Sequence, residues 1–162
     1  MSTFETLIDL YEFNRARTLG LLDRVKQGAD PIAALGWRPG EGRAHVAWQL
    51  MHIGVTEEIF ATERLCPDKD GAFTELWPRF RGGSSPDEEI TSPDEIRRVL
   101  TDGREHLLDT LSRFGEANLG DIPEAFKERG LTLLNVLHIL GWHEAHHQGQ
   151  AHITLNLYNA QS

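Results

Sequence analysis

The sequence holds a single cysteine, Cys66, among 162 residues. One cysteine cannot close an internal disulfide, so a cross-linked scaffold is excluded and a reducing compartment suits the chain. Long apolar runs are also missing. No stretch approaches the ~20 apolar residues of a spanning helix, and no apolar signal region opens the chain, so a cytoplasmic protein without a membrane partner is expected. Basic clusters are scarce too. Sixteen Lys and Arg stand against 25 Asp and Glu, a net charge of −9 with His neutral. Nothing in that balance marks a nucleic-acid partner. There is no internal repeat, no low-complexity tract, and no convincing period-2 alternation of a strand.

What is present is helical. An apolar fraction of 40% and a charged fraction of 25% are those of a globular protein. The length suits a single domain over residues 1–162 with a proper core. Four segments carry helical periodicity. The first spans Thr3–Lys26, with Phe4, Leu7, Tyr11, Asn14, Leu21, Leu22 and Val25 on one face. The second covers residues 43–65. Its expected inward stripe is Ala44, Trp48, Met51, His52, Val55 and Ile59, with Glu57, Glu58, Glu63 and Arg64 toward water. The third opens at Ser92 as N-cap with Pro93, Asp94 and Glu95 behind it, and runs to about Phe114 with Gly103 as a mild weakness. The fourth follows Gly130, capped by Thr132, and ends near Asn156 or Tyr158.

Two connections, residues 27–42 and 115–130, are of moderate length, but residues 66–91 form a far longer one. A connection that long needs a reason. Parallel helices two and three would supply it, because the chain must then travel the full length of the bundle. The expected fold is all-α, a four-helix bundle with one long crossover.

Chemistry concentrates in the histidines. Four of the eight fall between His138 and His147. His143 and His147, at i and i+4, stand ~5–6 Å apart on one helix face, close enough to share an ion with Zn–N bonds of ~2.0–2.1 Å. They lie on the stripe of Val136, Leu140, Ala151 and Thr154, while His52 lies on that of Trp48 and Val55. Three imidazoles from two helices leave an open coordination position, as in catalytic rather than structural zinc sites. One divalent ion on His52, His143 and His147 is therefore expected. His138, His146 and His152 point elsewhere on the fourth helix, toward surface or interface. His45 and His106 have no spacing partner. The same stretch spells H-E-x-x-H, but the zinc-peptidase reading fails. In the extended motif Gly149 and His152 each arrive one residue early, and no Asp or Glu follows Glu144 to serve as third ligand. Glu144 is left as a supporting or solvated residue.

With His52 included, the pattern resembles the DinB/YfiT-like family of metalloenzymes. The carrying residues are Leu50-Met51-His52-Ile53-Gly54-Val55-Thr56-Glu57 and Trp142-His143-Glu144-Ala145-His146-His147-Gln148-Gly149-Gln150. The approach from Gly130 to His138 is also similar, and Tyr11-Glu12-Phe13-Asn14 more weakly so. The resemblance implies up-down-down-up topology and a zinc, nickel or iron site on His52, His143 and His147. It implies a thiol-dependent transferase or isomerase using bacillithiol, mycothiol or glutathione on a small-molecule substrate, commonly as a homodimer. A metal-dependent hydrolase with Glu144 assisting a bound water, or a non-catalytic metal-binding or stress-response protein, are the alternatives. The crossover segment Trp77-Pro78-Arg79-Phe80-Arg81 matches no family pattern; its Arg79 and Arg81 are candidates to bind a thiol's carboxylate.

Overall fold

The computed structural model describes residues 1–161, and among these every regular element is helical. Four long helices carry the architecture, and each starts where the sequence supplies a cap. Helix α1, Thr3–Lys26, opens on a reciprocal Ser2–Glu5 capping box. A short α2, Pro31–Gly36, follows an Asp30 N-cap with Pro31 in the first turn; sequence reading left this stretch as plain connection. Helix α3, Val46–Ile59, begins later than the expected residue 43. The reason is His45, whose Nδ1 accepts the Trp48 amide at 3.0 Å and fixes the N-terminus there. The helix then continues through a π turn, Phe60–Arg64. Within the crossover lie a 3₁₀ turn, Thr74–Leu76, and the one-turn α4, Trp77–Phe80. Helix α5, Pro93–Leu111, starts at the Ser92 cap as expected and stops short of Phe114. Two 3₁₀ turns, Glu116–Asn118 and Glu124–Arg129, lead to α6, Leu133–Asn159, which opens on a Thr132–Asn135 capping box. Among the described residues no helix is long and apolar enough to cross a membrane.

The order of contacts gives the helix directions. Tyr11 meets Leu137, Asn14 meets Gly141 and Arg15 meets Glu144, so positions rise together and α1 runs parallel to α6. Positions also rise together along α3 and α5, through Glu57 with Arg104, Glu58 with His106 and Ala61 with Thr110. Between α3 and α6 they run oppositely, Gln49 with His147 and His52 with His143. Two helices therefore point one way and two the other, with the parallel pair α3 and α5 joined by the long crossover.

Helix α3 is the axis of the bundle. Every residue from Val46 to Ile59 is buried except Thr56. Glu57 and Glu58, expected toward water, are 3% and 0% exposed. The stripe reading fails there because α3 has neighbours on all sides and so has no solvated face. Its approach to α5 is backbone on backbone. A Cβ added at Gly103 would lie 2.7 Å from the Gly54 carbonyl oxygen, and one at Gly54 would lie 2.8 Å from Val99. Gly103 is thus the residue that permits the contact, and its weak helix propensity is the smaller effect. Replacing it with Ala is expected to destabilise by about 1–3 kcal/mol through overpacking. Gly149→Ala, on α6 with no atom within 4 Å of the new Cβ, should instead stabilise by about 0.5–1 kcal/mol. Thermal melts of the two variants shifting in the same direction would contradict this packing.

Candidate metal centre

The bundle brings His52, His143 and His147 together: one ring nitrogen from each lies within 4.8 Å of the others. The Nε2 atoms of His52 and His143 are 3.0 Å apart. Two nitrogens bound tetrahedrally to one ion at ~2.0–2.1 Å would sit about 3.3 Å apart, so these two rings need move little to share one. The protonation pattern suits this. His52 Nδ1 lies 2.6 Å from the Phe80 carbonyl oxygen. That oxygen can only accept, so Nδ1 carries the proton and the Nε2 lone pair is free. His147 Nδ1 likewise donates to Gln49 Oε1 at 2.5 Å. Such outer partners orient a metal-binding imidazole and fix its tautomer. Trp48 adds a wall, stacked on His52 with centroids 4.6 Å apart and planes 12° from parallel.

The crossover therefore has a task beyond spanning the bundle. Its α4 turn presents the Phe80 carbonyl to His52 and the Arg79 carbonyl to the Trp48 indole N–H at 3.2 Å. The Arg79 side chain is spent elsewhere, on both oxygens of Asp87 at 2.9 and 3.0 Å. Of the two arginines expected near the site, only Arg81 lines the cleft over the histidines. This cleft holds about 340 Å³, bordered by His52, Thr56, Ile59, Phe60, Arg64, Arg81, Gly82, His143 and His147.

Glu144 stands beside His143 in sequence but faces the bundle interior, 2% exposed. Its oxygens accept from Arg15 Nε at 2.8 Å, Thr18 Oγ1 at 2.8 Å and Arg104 Nη2 at 2.5 Å. Arg15 and Arg104 also hold Glu57, at 2.8 and 2.6 Å. Each of the four long helices thus contributes one charge to a closed cluster of two cations and two anions. Burial opposes the Glu57 charge, but Arg15 and Arg104 overcome it and keep the carboxyl below its usual range. Committed in this way, Glu144 is a structural anion with no oxygen spare to act as a base in the cleft.

The remaining histidines divide as their exposure dictates. His138 and His146 are exposed and His152 half-buried. His45 is a helix cap, and His106 hydrogen-bonds both oxygens of the buried Glu58 at 2.8 Å. Sequence reading missed Gln49, the Phe80 carbonyl and the cleft residue Thr56. Of these only Gln49 left a trace, as a polar residue three positions before His52 in an otherwise apolar run.

Burial holds all three cluster histidines below their ordinary pKa, His143 at about 3 and His147 at about 4, with mutual repulsion adding to the effect on these two. They are neutral at pH 7, the form that binds a metal. With the folded pKa below the unfolded value of ~6.5, the unfolded chain takes up more protons in between. Stability of the metal-free protein should be complete above pH 6.5 and decline as pH falls toward 4. Urea midpoints across that range check this, and the decline should be shallower in His143→Asn. Separately, Gln49→Leu should weaken zinc binding about 10–100-fold by calorimetry; unchanged affinity would mean that the Gln49 contact does not orient His147.

The sequence model of the DinB superfamily matches residues 10–151, which span all three histidines and all four charges of the cluster. No curated protein and no solved structure matches the chain.

Proposed function

The chain belongs to the DinB superfamily, and we propose that it is a metal-dependent enzyme that activates a low-molecular-weight thiol for transfer to a small electrophile. The observation that carries this reading is the incomplete ligand set. Among the described residues no carboxylate or thiolate joins His52, His143 and His147, and the same three side chains border an open cleft. A site with three protein ligands and room for a fourth is the catalytic pattern, whereas a structural site is closed by a fourth residue. A zinc, nickel or iron ion, when bound there, lowers the pKa of a thiol so that it reacts as thiolate. The chain's own residues orient the imidazoles through Gln49 and Phe80 and border the cleft with Ile59 and Phe60.

A hydrolase that used Glu144 as base is disfavoured by that residue's commitment to Arg15, Thr18 and Arg104. A purely structural ion is disfavoured by the core. Among the described residues no buried side-chain polar atom lacks a partner, so the fold is satisfied without metal. A homodimer in the cytoplasm remains part of the proposal, as does a small-molecule substrate.

Purified protein is expected to carry about one divalent transition-metal ion per chain, lost in His52→Ala or His143→Ala. Chelation should abolish thiol conjugation and lower the melting temperature by no more than the lost binding free energy, leaving the chain folded. Conjugation of a reactive electrophile is then assayed with bacillithiol, mycothiol and glutathione. Absence of turnover with all three would remove the transferase reading, and collapse of the fold on chelation would favour a structural ion.

A further inference from the structure

The winding of α3 changes where it borders the cleft, and the change selects the side chain that faces the metal centre. In an unbroken α-helix each residue advances by ~100°. Eleven residues beyond His52, Glu63 would return to within about 20° of the His52 direction, and Arg64 would point about 120° away. Over Phe60–Arg64, however, the helix takes a π turn, with the Leu65 amide bonded to the Phe60 carbonyl at 3.0 Å. The wider turn delays the register by about one residue. Arg64 thereby occupies the position that Glu63 would otherwise hold. The cleft bears this out: His52, Thr56, Phe60 and Arg64 line it along α3, and Glu63 does not.

Arg81 lines the same cleft from the crossover. The two arginine side chains are 40% and 44% exposed. Their salt bridges among the described residues both run to Glu63, at 3.2 Å from Arg64 and 3.7 Å from Arg81. Two cations share one anion, so a positive charge is left over at this cleft in a chain of net charge −9. Helical side chains tilt toward the N-terminus, which leans Arg64 back over the cleft toward His52. Ile59 and Phe60 lie between.

We infer that Arg64 and Arg81 form a clamp for a carboxylate on the thiol cosubstrate, so that the enzyme selects elongated, carboxylate-bearing thiols over uncharged ones. The inference rests on the metal–thiol reading above. The backbones of His52 and Arg64 are at most roughly 18 Å apart along the helix axis, and the Arg64 side chain reaches back toward His52 across the cleft. The favoured thiol therefore carries its anion at the far end from sulfur, with a middle portion against Ile59 and Phe60. A guanidinium pair suits this role because it meets a carboxylate with charge-assisted, often bidentate hydrogen bonds.

Cobalt(II)-loaded protein tests the clamp without turnover, since cobalt–thiolate absorption reports thiol binding directly. Glutathione is titrated against its diethyl ester, which keeps the thiol and loses both carboxylates. The native protein should bind glutathione about tenfold more tightly, a charge-assisted contact being worth that much. Arg64→Gln with Arg81→Gln should erase the difference while leaving cobalt affinity and diester affinity unchanged. Glu63→Gln should move the other way and tighten glutathione binding. Equal binding of the two thiols by the native protein, or an undiminished preference in the double variant, overturns the clamp while leaving the metal centre standing. Failure to take up cobalt, or to bind either thiol, overturns the metal–thiol reading and the clamp with it. The partial exposure of both arginines keeps the fold out of question, and melts of the variants verify it.

Discussion

Two buried arginines and two buried glutamates hold the rest of the molecule in register. Arg15, Glu57, Arg104 and Glu144 come from four different helices and neutralise one another inside the bundle. They also divide its apolar interior. One cluster gathers around Leu22, Leu50, Ile53, Val99 and Leu155, the other around Leu7, Leu107, Leu111, Val136 and Leu140. Along α1, α5 and α6 the buried charge falls between the residues of the two clusters. An ion cluster of this kind is poor value as stabilisation, because desolvation offsets most of the attraction. Its strength is discrimination: sliding any helix by one turn would leave a buried charge without a partner, at a cost of about 3–5 kcal/mol.

That discrimination reaches the histidine cluster through the chain itself. Glu144 is fixed by three donors, and His143 is the residue just before it on the same helix, so the ion cluster sets the rotation that aims His143 and His147 at α3. Glu57 does the same for His52 from five residues away. The imidazoles of His52 and His147 are then positioned by the crossover through the Phe80 carbonyl and by α3 itself through Gln49. A site on rigid helices with its outer hydrogen bonds in place is aligned before any ligand arrives.

How much of this was legible follows from what each residue type announces. Caps announce themselves, and Ser92-Pro93 and Thr132 placed two helix starts. The imidazole pair at i and i+4 announced the histidine cluster, and His52 followed from its stripe. The buried charges were hidden because a charged residue on a helix ordinarily faces water, and only a partner on another helix reverses that. Spacing held a trace all the same. Arg15 falls on the stripe of Tyr11, Thr18 and Leu22, and Arg104 on that of Leu100, Leu107 and Leu111. Each is a charge at a core position, opposite Glu57 in the most apolar helix of the chain. The π turn left no trace, since no residue type specifies it, and the side chain it brings to the cleft could not have been chosen from the sequence.

The close passage of α3 and α5 at Gly54 and Gly103 has an electrostatic side. Two parallel helices in backbone contact place their positive ends together at one end of the bundle and their negative ends together at the other. Asp94 and Glu95 sit in the first turn of α5, where they answer the doubled positive end. Helices α1 and α6, pointing the opposite way, complete a set of two dipoles against two. Near the middle of α3 and α6, where the histidines sit, little axial field remains. The charge tolerated on anything held there is decided by nearby side chains, with the helices themselves nearly silent.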